Sequence, residues 1–358
     1  MKKLNVAIIG QGRSGRGIHG AYFLKEAGQK LYNVVAVVDR DEAFRARALE
    51  EYPGCEVFAS PEEIYGRTDI DLVVNASVSN EHYEVAMGLL EAGFNVVTEK
   101  PFARTRYECD AIIKKAKDKG VKLAVFQQAF LSEYYLKTKE VIDSGKLGEI
   151  QQIDITYSGF SRRWDWQSTQ VKMGGNIYNT GPHPIGLAVG FLDGDPDIQV
   201  VFSRLNQSQV MSSGDSDTYA KILITAPGKP VVDVEVNSND AFPSASFKVL
   251  GSKGTFQSSF SGWKMKYIVE GENPEQPLVL ETLKDANGLP TYCSEQLITH
   301  EEEGAYDNRL VVATEMYYES VYKHLTEGAE LAVKPEWAAQ IISIIETAHA
   351  QNPLPVKF

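Results

Sequence analysis

Short apolar runs alternate with longer segments of helical periodicity over the first 126 residues of the chain. The apolar runs are rich in valine, isoleucine and leucine, and they cover Leu4–Ile9, Asn33–Val38, Leu72–Asn75, Asn95–Thr98 and Lys122–Phe126. Because these runs are apolar on both faces, they are typical of strands buried in a parallel sheet. Helical periodicity fills the gaps between them, at Ser14–Ala27, Asp41–Glu51, Glu81–Ala92 and Arg104–Lys119. This alternation predicts successive βαβ units.

After residue 126 apolar and polar residues alternate, which is typical of antiparallel strands with one buried face. A helix over Ser132–Ser144 comes first, and the predicted strands follow at Ile150–Tyr157, Tyr219–Thr225, Val231–Val236, Ser246–Gly251 and Gly254–Ser258. Two helices close the chain, Asn308–Glu327 and Pro335–Gln351. We therefore predict an α/β domain over residues 1–126 and an α+β domain over residues 127–358. The second domain has a mainly antiparallel sheet, and its last helix can pack back on the first domain.

Length, composition and charge agree with a soluble protein of two domains. The 358 residues exceed the roughly 250–300 over which one hydrophobic core usually grows, and no run approaches the ~18 apolar residues of a membrane span. The net charge of −12 argues against a nucleic-acid-binding protein, because such binding needs a basic surface. Cys55, Cys109 and Cys293 lie far apart without CxxC spacing, so we expect neither disulfides nor a cysteine zinc site. A cytoplasmic location is expected.

The most informative motif is a glycine-rich loop between the first strand and the first helix. It reads Gly10-Gln11-Gly12-Arg13-Ser14-Gly15. In this context the first glycine permits a tight turn, the second lets a pyrophosphate approach the main chain, and the third allows close helix–strand packing. An ordinary flexible turn is the alternative, and the strand, the helix and the following βαβ unit argue against it. The loop predicts a Rossmann domain that binds a dinucleotide.

The end of the second strand bears on the choice between NAD and NADP. Asp39 lies about where an acid accepts hydrogen bonds from the ribose hydroxyls, which favours NAD. Arg40 and Arg13 could instead bind the 2′-phosphate of NADP, because guanidinium groups suit phosphate. They could equally be solvated surface charges. We expect NAD, with NADP as the alternative.

The fifth strand runs into Glu99-Lys100-Pro101, at the edge of the sheet where such folds bind ligands. A lysine in a cleft can donate a hydrogen bond to a substrate oxygen, and desolvation can lower its pKa. Pro101 favours an extended main chain at Lys100. Taken alone, however, the tripeptide is better explained as a solvated strand end.

Several motifs together resemble the glucose–fructose oxidoreductase and inositol dehydrogenase family, called Gfo/Idh/MocA. They are the glycine loop, the stretch from His82 through Leu90-Glu-Ala-Gly93 to Val97-Thr-Glu-Lys-Pro101, the segments Ile142–Ile150 and Ala332–Glu336, and a Gly-Gly…Gly-x-His pattern ending at His183. The resemblance covers nearly the whole chain. It implies an NAD(P)-dependent oxidoreductase whose second domain has a large open sheet. It also implies a homo-oligomer, a dimer or tetramer, joined through that sheet.

The resemblance implies catalytic roles for Lys100 and His183. In the family, the lysine of Glu-Lys-Pro lies beside the nicotinamide, and a helix carries Asp-x-x-x-His facing it. His183 matches this histidine, but Asn179 stands where the aspartate is usual and Gly186 stands where a further aspartate is common. Asn179 and His183 would share one face of a continuous helix. Because Asn179 brings no charge, we expect it to position the substrate.

Two assignments of the acid–base chemistry remain open. In the first, His183 removes the proton of a secondary alcohol while Lys100 stabilises the developing alkoxide and NAD(P)⁺ takes the hydride. In the second, Lys100 is the base and His183 donates the hydrogen bond. A general base works best with a pKa near the working pH, which histidine has without help.

The remaining candidate contacts lie in loops and at the ends of elements. Trp164 and Trp166 suit stacking on a sugar ring, and Tyr178 is a further candidate for the substrate wall, although plain packing explains the tryptophans almost as well. The expected cofactor contacts are completed by Ser77, His82, Glu99 and Gln127. His82 could equally cap its helix. The other histidines, His19, His300, His324 and His349, lack metal-ligand spacing, so we expect ordinary helix or loop residues and no metal.

Three functions follow from these residues. The favoured one is a dehydrogenase or reductase acting on a hydroxyl or keto carbon of a sugar, cyclitol or glycoside. The second is a glycosidase-type enzyme that retains NAD⁺ and oxidises the sugar transiently; accumulation of NADH would argue against it. The third is a non-catalytic NAD(P)-binding sensor, against which Lys100 and His183 argue.

Overall fold

The computed structural model describes residues 2–306 and 310–358, without the side chains of residues 310 and 311. The strands of its N-terminal part are β1 (Leu4–Ile9), β2 (Tyr32–Val38), β3 (Glu56–Phe58), β4 (Leu72–Asn75), β5 (Val96–Thr98) and β6 (Leu123–Val125). In the described residues they form one parallel sheet in the order β3-β2-β1-β4-β5-β6. The predicted Rossmann sheet is confirmed, and it gains the short strand β3, which is too exposed to show in the apolar pattern.

The helices of this part are α1 (Ala21–Phe23), α2 (Glu26–Leu31), α3 (Glu42–Glu51), α4 (His82–Glu91) and α5 (Arg106–Lys119). The single helix predicted over Ser14–Ala27 is wrong, because a π-helical turn over Gly15–Gly20 precedes α1 and the chain becomes extended at Lys25. A Cβ on Gly28 would lie 2.2 Å from the carbonyl oxygen of Tyr22, so α2 packs directly on the end of α1. The spacing of apolar residues along the sequence does not reveal a contact of this kind between main chains.

The strands of the C-terminal part are β7 (Ile150–Ser158), β8 (Gln199–Asn206), β9 (Tyr219–Thr225), β10 (Val231–Asn237), β11 (Phe247–Gly251), β12 (Gly254–Ser258), β13 (Gly262–Tyr267) and β14 (His300–Ala305). Within the described ranges they form one sheet in the order β14-β13-β12-β11-β7-β10-β9-β8. Strands β7 and β10 are parallel and the other pairs are antiparallel, which confirms the expected large, mainly antiparallel sheet. The sequence missed β8, β13 and β14, which lie at or next to the edges, where few side chains are buried.

The helices of this part are α6 (Glu133–Asp143), α7 (Asn176–Asn179), α8 (Pro182–Phe191), α9 (Leu310–Glu327) and α10 (Pro335–Gln351). Helix α8 is apolar and packs on β7, β10 and α10. Helix α10 also contacts α5 and β6, and α9 contacts α1 and α2. One buried apolar cluster therefore runs from Ile9 through Phe130 to Ile341. The division of the chain at residue 126 stays a prediction.

The open face of the second sheet carries polar and charged side chains. Lys221 Nζ lies 2.9 Å from Asp233 Oδ1 and 3.2 Å from Glu235 Oε2. Asp154 lies beside Asp233 on the neighbouring strand β7. A subunit contact through this face would therefore include these charged side chains. Among the described helices, none is long and apolar enough to cross a membrane.

Candidate active site

A cleft of about 1100 Å³ opens along the carboxyl ends of the parallel strands and continues to the loop before α7. One wall includes Gly10 and Gly12 of the glycine loop, Asp39 after β2, Ser77 after β4 and Lys100 after β5. The residues from the C-terminal part are Asp165, Trp166, Gln167 and Asn179. The cleft thus joins the predicted dinucleotide loop to the predicted substrate region.

The glycines of the loop have two different roles. A Cβ on Gly10 would lie 2.4 Å from the carbonyl oxygen of Ala76, and a Cβ on Gly15 would lie 1.9 Å from that of Gly10. These two glycines are required for packing. Gly12 has no atom within 4 Å of its Cβ position and lines the cleft, so the main chain there is open to a ligand. A dinucleotide fits this loop, because a pyrophosphate needs an unobstructed main chain.

Asp39 connects the end of β2 to the glycine loop. The main-chain N–H of Gln11 donates to Oδ2 at 2.7 Å, and that of Asp41 donates to Oδ1 at 2.8 Å. The carboxylate lines the cleft and can accept further hydrogen bonds from ribose hydroxyls. Arg40 forms an ion pair with Glu81, in which Nη2 lies 2.6 Å from Oε2. Arg13 has no such partner among the residues that the structure describes and is the freer guanidinium.

Lys100 bridges the two walls of the cleft. Its Nζ donates to the main-chain oxygen of Asn179 at 2.8 Å, and its main-chain N–H donates to Glu99 Oε2 at 2.8 Å. Burial lowers the pKa of Lys100; the negative charge of Glu99 opposes this shift, and the positive charges of Arg13 and Arg163 add to it. A lysine with a lowered pKa is a better general base near neutral pH than an ordinary lysine.

His183 lies in the first turn of α8 and does not itself line the cleft. Burial and the positive charge of Lys100 lower the pKa of His183 to about 3, against an opposing effect of Glu99. The ring makes no hydrogen bond within residues 2–306 and 310–358. At neutral pH His183 is therefore a neutral imidazole that can donate or accept a hydrogen bond but is a weak base.

Asn179 and His183 do not lie on one continuous helix. Helix α7 ends at Asn179 and α8 begins at Pro182, because the proline has no N–H with which to continue the first helix. The side chain of Asn179 is held instead by Gln167, whose Nε2 donates to Oδ1 at 3.0 Å. Gln167 in turn accepts a hydrogen bond from Arg163. Since Oδ1 is used in this way, the amide of Asn179 presents its N–H groups as donors.

The aromatic candidates are placed unequally. Trp166 lines the cleft and is 43% exposed, whereas Trp164 is 78% exposed and lies outside the cleft wall. Tyr178 is buried, packs on His349 at a ring-centroid distance of 5.3 Å, and donates its hydroxyl hydrogen to the main-chain oxygen of Arg104. Substrate contacts of Trp164 and Tyr178 stay predictions, because neither residue lines the cleft.

Among the expected cofactor residues, Ser14, Ser77, His82 and Glu99 line the cleft together with those already described. His82 is buried, and its Nδ1 lies 2.7 Å from the main-chain oxygen of Pro101. The side chains of Gln11 and Gln127 are buried away from the cleft wall, and each has one polar atom without a hydrogen-bond partner among the described residues.

Sequence reasoning missed three residues near the centre of the site. Asp165 and Gln167 line the cleft beside Trp166, in a loop whose apolar residues follow neither the helical nor the strand spacing. His19, expected to be an ordinary residue, is fully buried and lies 3.1 Å from Glu99. The sequence signal for a role of His19 is its place four residues after Gly15, in the turn next to the glycine loop.

Two family profiles match the chain. Residues 4–127 match the NAD-binding Rossmann fold of the Gfo/Idh/MocA oxidoreductases, and residues 135–257 match the C-terminal domain of the same family. An uncharacterized oxidoreductase of Schizosaccharomyces pombe is 26% identical over 98% of this chain and 97% of its own length. The scyllo-inositol 2-dehydrogenase (NADP⁺) of Bacillus subtilis is 25% identical over 96% of this chain and 92% of its own.

Solved structures share the fold over the full chain. An NAD-binding protein from Listeria innocua matches with a TM-score of 0.79 at 21% identity, covering 100% of both chains. A 3-ketoreductase from Actinomadura kijaniata, solved with TDP-benzene and NADP, matches with a TM-score of 0.73 at 17% identity, covering 97% of both chains. At these identities the structural matches show the fold alone.

Proposed function

This chain belongs to the Gfo/Idh/MocA family of NAD(P)-dependent oxidoreductases, and we propose that it transfers a hydride between NAD(P) and a hydroxyl or keto carbon of a sugar, cyclitol or glycoside. The observation that carries this proposal is the hydrogen bond from Lys100 Nζ to the main-chain oxygen of Asn179. Lys100 lines the cleft that begins at the glycine loop, and its positive charge acts on the nearby His183. The activity of the inositol dehydrogenase relative supports a polyhydroxylated substrate.

The cofactor would lie along the N-terminal wall of the cleft and would supply the hydride acceptor or donor. Gly12 leaves room for the pyrophosphate, and Asp39 faces the position of the ribose. Because Arg40 is paired with Glu81, the arrangement favours NAD over NADP. Arg13 is the residue that would tolerate a 2′-phosphate.

The electrostatics of the site favour Lys100 as the base. Burial is the largest cause of the low pKa of His183, about 3, so the imidazole would accept a proton from an alcohol only weakly, whereas Lys100 is the stronger base and burial lowers its pKa from the ordinary value. In the oxidation direction, Lys100 in its unprotonated form would take the hydroxyl proton while the hydride would pass from the same carbon to the oxidised cofactor, and the C–O bond would become a carbonyl. His183 hydrogen-bonds to that oxygen, and the amide of Asn179 orients a neighbouring hydroxyl.

A panel of sugars, inositols and glycosides with NAD⁺ and NADP⁺, followed by the absorbance of the reduced nicotinamide, tests the proposal. We expect Lys100→Ala to lower kcat by about 100-fold or more and His183→Ala to lower it by about 10-fold or more. Lys248→Ala, on an exposed position of β11, is the matched control and should be unchanged. NADH binding by each variant is measured first by fluorescence.

Near-normal kcat in Lys100→Ala would refute Lys100 as the base, and near-normal kcat in His183→Ala would refute the hydrogen bond from His183 to the reacting oxygen. Substrate turnover without net NADH formation would indicate the glycosidase-type reaction instead, and NADH binding without turnover of any compound would indicate a sensor.

We further propose the domain division at residue 126, supported by the family profile over residues 4–127, a cytoplasmic location, supported by the spacing of the cysteines, and a homo-oligomer, supported by the family resemblance. Light scattering during size-exclusion chromatography tests the assembly, and a monomer at working concentration would contradict it. Lys221 pairs with Asp233 and Glu235 on the open face. Reversing its charge would leave these carboxylates without their cation and add a negative charge to the face, so it should weaken an oligomer joined there.

A further inference from the structure

His19 is fully buried in the π-helical turn Gly15–Gly20 that follows the glycine loop. Both ring nitrogens have partners: Nδ1 lies 2.6 Å from the hydroxyl of Tyr318 on α9, and Nε2 lies 3.1 Å from Glu99 Oε1. Phe126 packs on the ring at a centroid distance of 4.5 Å. The ring is held on three sides and does not itself line the cleft.

Glu99 needs these partners because an ionised carboxylate in an apolar interior is costly unless it is hydrogen-bonded. Burial acts to raise the pKa of Glu99, but the hydrogen bond and charge of His19, together with Lys100 and His82, lower it to about 2. Since an ionised carboxylate can only accept, the shared hydrogen lies on Nε2 of His19. The second oxygen, Oε2, accepts the main-chain N–H of Lys100.

Glu99 interacts electrostatically with titratable groups on five neighbouring segments of the chain. These groups are His19 in the π-helical turn, His82 on α4, Lys100 after β5, His183 on α8, and Tyr317 and Tyr318 on α9. The negative charge raises the pKa of Lys100 and of His183, and so opposes the effect of burial. If Glu99 became neutral, the pKa of Lys100 would therefore fall.

We propose that His19 is a positioning residue of the active site that acts through Glu99. It holds the carboxylate that receives the Lys100 main chain and keeps this carboxylate negative beside Lys100 and His183. Tyr318 connects the same contact to α9, so that the turn after the glycine loop, the end of β5 and a C-terminal helix meet at one imidazole. The catalytic consequence rests on the proposed function, whereas the effect on Lys100 does not.

The first experiment measures the pKa of Lys100 without a substrate. Lys100 is acetylated with trace acetic anhydride over a range of pH, and the modified peptide is quantified by mass spectrometry. We expect His19→Leu to lower the pKa of Lys100 by about half a unit or more, because Glu99 without its donor takes up a proton. His19→Gln should restore a value near that of the native protein, since its amide nitrogen can donate from about the same place as Nε2.

The matched control is His300→Leu, which removes a histidine 2.6 Å from Glu272 on the protein surface. It should leave Lys100 unchanged. If His19→Leu does not fold, Glu99→Gln decides, because it removes the same charge without leaving a buried carboxylate unpaired. An unchanged Lys100 pKa in either variant overturns the proposal.

The second experiment uses a substrate identified in the panel. We expect His19→Leu to lower kcat by about 10- to 100-fold, more than its folded fraction falls, because the loss from displacing Lys100 outweighs the gain from its lower pKa. In a Glu99→Gln background the same substitution should add less than about twofold, because its route of action is already removed. Independent, multiplicative losses would overturn the proposal. If the native protein turns over nothing, the proposed function fails, and the Lys100 measurement still tests His19.

Discussion

Alanine substitutions at Gly12 and Gly15 should separate cofactor binding from folding within the glycine loop. At Gly15 the new Cβ would lie 1.9 Å from the carbonyl oxygen of Gly10, although real Cβ atoms essentially never approach closer than 3.0 Å. The loop must therefore move by about 1 Å, and overpacking of this kind destabilises a protein by roughly 1–3 kcal/mol. At Gly12 no atom lies within 4 Å, so the methyl group should change the stability by less than about 1 kcal/mol.

Cofactor affinity should respond in the opposite order. The methyl group of Gly12→Ala enters the cleft where a pyrophosphate would approach the main chain, and we expect the Kd for NADH to rise by about tenfold or more, equivalent to about 1.4 kcal/mol. Urea unfolding followed by circular dichroism measures the stability, and quenching or enhancement of NADH fluorescence measures the Kd. Gly12→Ala should change the Kd with little change in stability, whereas Gly15→Ala should shift the unfolding midpoint.

Gly17→Ala is the matched control, because its Cβ position is also free of atoms within 4 Å but lies outside the cleft wall. It should leave the Kd for NADH unchanged and change the stability by less than about 1 kcal/mol. Native-like NADH affinity in Gly12→Ala, or a loss of stability as large as that of Gly15→Ala, would refute the assignment of Gly12 to the ligand.

Further predictions concern charge and pH. Asn179→Asp should raise the pKa of Lys100, so the rise of log(kcat/KM) with pH should move about one unit higher, and an unmoved profile would contradict Lys100 as the base. Asp39→Ala should lower the preference for NADH over NADPH by about tenfold, measured as the ratio of kcat/KM values; an unchanged ratio would exclude a ribose contact. His183 has a pKa of about 3 in the folded protein against 6.5 in a model peptide. Because the unfolded chain binds a proton at His183 more readily than the folded protein, the free energy of unfolding is highest above pH 6.5 and decreases as the pH falls. Between pH 6.5 and pH 5 this decrease is about 2 kcal/mol. Urea unfolding should show a smaller decrease in His183→Gln.

The sequence by itself determined the parallel sheet and the location of the cofactor loop. Strands β1, β2 and β4 are apolar on both faces because both faces are covered by other elements, and this covering is visible in the residue pattern. Gly10–Gly15, Asp39 and Lys100 each follow a strand, and the carboxyl ends of parallel strands share one edge. Their proximity could therefore be predicted without any knowledge of the second sheet.

Only the tertiary structure decided which polar atoms meet in the site. Gln167 contacts Asn179 at the point where α7 ends before Pro182, and His19, in the π-helical turn, contacts Glu99 across 80 residues of the chain. A hydrophobic pattern reports which face of an element is buried. It carries no record of which donor lies opposite which acceptor, since that pairing depends on how distant elements are packed together.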